Sequence, residues 1–185
     1  MPILGVVASS VRTAADTGAM FPLQVVTVGA AGATSITFSN IPGTYTHLQL
    51  RSFGGVDTVN RDIYMRFNND TASNYSAHLL YGTGSSAAAY SPPTTDSIYW
   101  SVGNNYGAAN SFGAAVADIL DYANTNKYKT VRSLYGYDNN NTTGQLNFAS
   151  GNWRSTSAIT SITIFPQSGN IIQYSSFALY AVKGA

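Results

Sequence analysis

The sequence predicts an all-β protein, an antiparallel β-sandwich or jelly roll with an extended N-terminal arm. Two observations predict it. Short runs that are β-branched or alternate with period two recur along the chain, each bounded by Gly, Pro, Asn or Ser clusters. No stretch carries a convincing amphipathic helix. Many short strands with such turns are the pattern of sandwiches and jelly rolls.

The first element is the apolar run Ile3–Ala8 in MPILGVVASS. A secretory signal needs a cationic region ahead of its apolar core, yet only Met1 and Pro2 precede Ile3 and the first basic residue is Arg12. A membrane-spanning helix needs about 20 apolar residues, and this run stops at Ser9-Ser10. A first core strand and a docking arm both fit the run itself. The small, aperiodic SSVRTAADTGAMFP that follows favours the arm. Residues 1–23 are therefore expected to be an extended docking arm, spanning at most ~75 Å, and residues 24–185 a single β-sandwich domain.

Gln24–Val28 and Ser35–Phe38 are strand-like, and the GAAGAT between them predicts a hairpin. Thr46–Arg51 alternates after the turn Ile41-Pro42-Gly43, and Ile63, Met65 and Phe67 alternate with Asp62, Tyr64 and Arg66. NNDTASN reads as a polar loop before Tyr75, and AHLLYG as another strand. GTGSSAAAYSPPTTD has the composition of a long surface loop leading to the strand Ser97–Val102. FGAAVADILDY has Ala content that suits a helix, but Phe112, Ala114, Val116 and Leu120 share strand spacing, so it is expected to form a hairpin with KYKTVRSLYGY. Gln145–Phe148, Ala158–Phe165 and Tyr174–Val182 complete the strands.

Composition narrows the function. Nine basic and eight acidic residues give a net charge of +1 without a basic cluster, which argues against nucleic-acid binding. Charged residues are only 9% of the chain, against about 25% in an ordinary domain, and Glu is absent. Low charge lets identical chains pack with little self-repulsion, which suits a subunit of an assembly. With no Cys, disulfides and thiolate metal sites are excluded.

Candidate chemistry is sparse. His47 and His78 lie within strand patterns, and no G-x-S-x-G elbow accompanies them. Pairs of Asp could serve glycoside hydrolysis, but Asp57, Asp62, Asp70, Asp96, Asp118, Asp121 and Asp138 sit beside turns, where Asp bonds its own backbone. Asn68–Thr71 and Asp138–Asn141 offer oxygens that calcium uses, without the Gly and terminal Glu of an EF-hand. No catalytic residue, metal ligand or cofactor is expected. Tyr81, Tyr90, Tyr99, Trp100 and Tyr106 border the two long loops among Ser, Gly and Asn, the palette of an adaptable binding surface. They are the candidate contacts to glycan or protein, with packing of the sandwich as the competing role.

ITFSNIPGTYTHLQLRS, RFNNDTASNY, DILDYANTNKYKTVRSL, SGNWRSTSAITSI and QYSSFALYAVKG together resemble a family of tailed-bacteriophage structural proteins. Members pair ITFS-x-IP-x-TYTHLQ near the start with QYSSFALYGVK at the end, and Ala181 replaces the common Gly here. The resemblance covers nearly the whole chain. It implies a non-enzymatic virion protein with a sandwich body on the exterior of the particle, of tail-fibre, head-fibre or capsid-decoration type. Its partners would be other virion proteins and identical subunits, in a homo-oligomer such as a trimer, with no nucleic acid and no membrane insertion. The arm is expected to dock through Ile3, Leu4, Val6, Val7, Met20 and Phe21. Two alternatives stand: an adhesin for host surface glycans, and a small glycan hydrolase.

Overall fold

The computed structural model describes residues 19–58, 62–92, 95–102, 111–139 and 144–184. They form twelve strands: β1 (Met20–Thr27), β2 (Ile36–Phe38), β3 (His47–Gly54), β4 (Asp62–Phe67), β5 (Tyr75–Gly82), β6 (Ala87–Tyr90), β7 (Ile98–Val102), β8 (Gly113–Leu120), β9 (Lys129–Asp138), β10 (Gly144–Trp153), β11 (Ile162–Pro166) and β12 (Ser176–Val182). Two sheets result, one ordered β1-β12-β3-β8-β9-β10-β5-β6 and the other β2-β11-β4-β7. Every pairing between strands is antiparallel. The fold is a β-sandwich, as the sequence predicts.

Its winding is that of a jelly roll. With β5, β6, β9 and β10 set aside, the remaining strands form two facing four-stranded arrays, β1-β12-β3-β8 and β2-β11-β4-β7. The chain crosses between them at each connection except β4 to β7, which gives two interlocked Greek keys. The hairpins β5–β6 and β9–β10 are insertions in this scheme. Both add to the same side of the large sheet, beyond β8, so that sheet overhangs its smaller partner.

Alternation places the core between the sheets. In β9, Lys129, Val131, Ser133, Tyr135 and Tyr137 are buried while the intervening residues are more open. Ile63, Met65 and Phe67 do the same in β4, and Phe177, Leu179 and Ala181 in β12. Each large apolar side chain so buried contributes roughly 1.5–3 kcal/mol. Trp100 of β7 packs on Phe177 of β12 with ring centroids 6.1 Å apart, joining the two layers. At Gly151 in β10 the layers approach so closely that a Cβ would lie 2.5 Å from Ile98 Cγ2. Between β4 and β5, Asn68 and Asn69 both take positive φ, as the central residues of a type I′ turn must, and the Asp70 amide closes the turn on the Phe67 carbonyl at 2.9 Å.

Three local expectations differ from the structure. The run expected to form a hairpin with Ser35–Phe38 pairs elsewhere: β1 joins β12, and β2 joins β11 in the other sheet. GAAGAT is a sheet-crossing corner, with Gly32 N bonded to Gly29 O at 3.0 Å and Ala33 bridged to Ile171. The stretch expected to be one long loop contains the edge strand β6, which pairs Ala87–Tyr90 with Leu79–Gly82. The expected domain boundary falls inside β1, where Met20 pairs with Val182 and Phe21 with Ala181.

Candidate functional site

The overhang creates a cleft. The small sheet ends at its edge strand β7, which packs over β8, β9 and β10, and the large sheet continues past that edge through β5 and β6. The cleft has a volume of about 270 Å³ and is lined by Asp62, Leu79, Tyr81, Ala89, Tyr90, Tyr99, Tyr135, Gln145 and Asn147. Alternation brings Leu79 and Tyr81 of β5, Tyr135 of β9 and Asn147 of β10 to one face. Tyr90 joins them because it pairs with Leu79 across β5–β6.

Three tyrosines interlock along the β7 edge. The Tyr99 ring stands edge-on to Tyr64 at 4.9 Å and to Tyr90 at 6.3 Å. Burial, followed by the hydrogen bond and charge of Tyr99, pushes the Tyr64 phenol far above its ordinary range. Proximity to Tyr99 raises that of Tyr90, and burial raises that of Tyr135. All three hydroxyls are therefore neutral at physiological pH and act as hydrogen-bonding groups. Deeper in the cleft, Asn147 is 98% buried by its 2% exposure. Its Oδ1 accepts from Gln145 Nε2 at 2.7 Å, whereas its Nδ2 has no hydrogen-bond partner. Such an atom is uncommon, since buried polar groups are nearly always paired.

The predicted contact residues divide accordingly. Tyr81, Tyr90 and Tyr99 come together in the cleft. Trp100 does not: it is fully buried and belongs to the core, because neighbours on a strand face opposite ways. Tyr106 lies outside the described residues. Tyr64, Tyr135, Asn147 and Gln145 were not singled out in the sequence. The period-two pattern assigns Tyr135 and Asn147 to an inward face, but no local signal shows that they border the edge of the small sheet.

The other candidates serve the fold. Asp70 Oδ1 accepts from Ala72 N at 2.9 Å, and its Oδ2 accepts from Asn74 Nδ2 at 2.8 Å and Trp153 Nε1 at 2.7 Å. These bonds hold its carboxyl below the usual range. Asn68 Oδ1 accepts from Thr160 N at 2.9 Å and Ser161 N at 3.1 Å, so the oxygens of the Asn68–Thr71 candidate for calcium are engaged by the chain, whereas Asn140 and Asn141 of the Asp138–Asn141 candidate lie outside the described residues. Asp118 pairs with Arg132, Asp96 with Arg66 and Asp121 with Lys127. Asp57 accepts from Asn170 N at 2.8 Å. His47 Nδ1 accepts from the Asp121 amide at 3.0 Å, and His78 is exposed on β5.

A second feature occupies the opposite face of the large sheet. One cross-strand row runs Val116, Leu134, Phe148, Leu80 and Ala89. The next runs Phe53, Ala114, Gly136, Leu146 and Gly82. Phe53, Leu80, Leu134, Leu146 and Phe148 are all exposed, and Phe112 stacks on Phe53 at 5.2 Å. Alternation that buries one face of β8, β9 and β10 would ordinarily leave polar residues on the other. Here the two rows named are apolar on the outer face as well, with Asp118 and Arg132 in the row beyond them. Of the arm residues, Met20 and Phe21 lie in β1, with Phe21 tilted against Tyr45 at 5.6 Å and Lys183 over its ring. Ile3, Leu4, Val6 and Val7 lie outside the described residues.

No protein-family model and no curated protein matches this chain.

Proposed function

We propose that this chain is a non-enzymatic structural subunit on the exterior of a tailed-phage virion, assembled with copies of itself through the apolar outer face of its large sheet. The face carries the reading. Five strand spacings from β3 to β6 make it about 24 Å wide, and contiguous exposed apolar patches beyond a few hundred Å² mark interaction surfaces. The occupant is a second copy of the chain. A net charge of +1 opposes association little, and the Asp118–Arg132 pair and Arg51 border the apolar rows as a polar rim borders an interface core. The resemblance of the sequence motifs to tailed-phage structural proteins supports the virion setting. Ile3, Leu4, Val6 and Val7 then anchor the subunit on a neighbouring virion protein.

Sedimentation over a range of concentrations tests the self-association. The wild-type chain is expected to form a discrete oligomer, and Leu134→Asp or Phe148→Asp to yield a folded monomer. A wild-type monomer at all concentrations overturns the reading. Particles carrying a deletion of residues 1–10 are expected to lose the protein; full incorporation rules out the arm as anchor.

A further inference from the structure

We infer that the cleft along the β7 edge is a binding site for one neutral pyranose unit of a glycan, with Asn147 donating to a sugar oxygen and Tyr90 presenting its ring to the sugar face. The inference is separate from self-association, which uses the opposite face of the sheet. Three observations converge on it. Asn147 is buried yet its Nδ2 lacks an acceptor, while its Oδ1 is held by Gln145. A sugar hydroxyl or ring oxygen supplies the missing acceptor. Tyr90 is 48% exposed on an edge strand, so a ligand reaches its ring without opening the core. The volume of about 270 Å³ falls at the lower limit of small-molecule sites, about 300 Å³, which suits one ring and excludes an extended peptide.

Chemistry selects the ligand class. The phenol hydroxyls of Tyr90, Tyr99 and Tyr135 and the amides of Gln145 and Asn147 both donate and accept. That mixture suits a polyol, whose hydroxyls do the same, and does not suit a lipid chain. Asp62 is among the described lining residues and no Lys or Arg is. An acidic sugar would find no cation among the described lining residues, so the unit is uncharged.

The test titrates the full chain with methyl glycosides of glucose, galactose, mannose and N-acetylglucosamine, with N-acetylneuraminic acid as the charged control. Saturation-transfer NMR and the ring resonances of Tyr90 and Tyr99 report binding. At least one neutral glycoside is expected to bind in the low millimolar range and to move both rings, while the acidic sugar does not bind. Tyr90→Ala is expected to weaken binding about tenfold. Asn147→Leu is expected to abolish binding while holding or raising the melting temperature, because it removes a buried donor without a partner. A merely structural asparagine would instead lower the melting temperature and leave binding intact. That result, binding of the acidic sugar as tight as any other, or no neutral glycoside bound by about 20 mM overturns the inference and leaves the self-association reading standing.

Discussion

Asp70→Ala removes the carboxylate that fastens the β4–β5 turn to the end of β10. The wild-type side chain accepts three hydrogen bonds, from Ala72 N, Asn74 Nδ2 and Trp153 Nε1. Trp153 is 2% exposed and stacks on Tyr75 at 6.1 Å, so its indole N–H has no ready access to water. Leaving that donor unpaired costs about 2 kcal/mol, and the two partly solvated turn bonds about 0.5 kcal/mol each. The sum is about 3 kcal/mol, which for a chain of this size lowers the melting temperature by roughly 6–12 °C. Thermal unfolding followed by tryptophan fluorescence measures it. The sign of the pH dependence follows from the depressed folded-state pKa. Above the unfolded value, about 4, the unfolded chain is ionised too and the contribution is full. It is lost as pH falls through the lower folded value. The stability gap between wild type and Asp70→Ala is therefore expected to stay constant from about pH 7 to 5 and to shrink below about pH 4. A melting temperature within about 2 °C of wild type, or a gap that widens in acid, would refute the account.

Two further perturbations probe the packing and the buried cation. Gly151→Ala forces a methyl group to 2.5 Å from Ile98 Cγ2 and is expected to cost about 1–3 kcal/mol by chemical denaturation. Adding Ile98→Ala is expected to relieve part of that cost, so strictly additive losses would sink the explanation. Lys129 is buried, and its Nζ donates to the carbonyls of Asn124 at 2.6 Å, Lys127 at 2.9 Å and Thr156 at 3.2 Å. Lys129→Met strands those carbonyls and is expected to cost at least about 2 kcal/mol; an unchanged unfolding midpoint would show that water replaces the ammonium freely.

Much of the fold is legible in the chain because period-two alternation is a local property. RDIYMRF declares its own buried face, and Ile63, Met65 and Phe67 are buried in the structure. FGAAVADILDY declares strand spacing despite its alanines, and it pairs with β9 as a hairpin. Legibility ends where partners must be chosen. A hairpin turn and a sheet-crossing corner draw on the same Gly-rich chemistry, so GAAGAT did not reveal which it would be. The cleft was legible only in part: the tyrosines drew attention, but the alternation that separates Tyr99 from Trp100 matters only once the small sheet is known to end there.

Local stereochemistry thus determined the β class, most strands and their inward faces. The tertiary structure decided which strands share a sheet, that two inserted hairpins extend one sheet beyond the other, and that Asn147 faces a cleft instead of a core. The reason is physical. A strand's own residues set its twist and alternation, but its partners in the sheet lie elsewhere along the chain, as Gly151, opposite Val131 on one side and Ala77 on the other, illustrates. Which of many apolar faces meets which is settled only when all of them compete for burial at once.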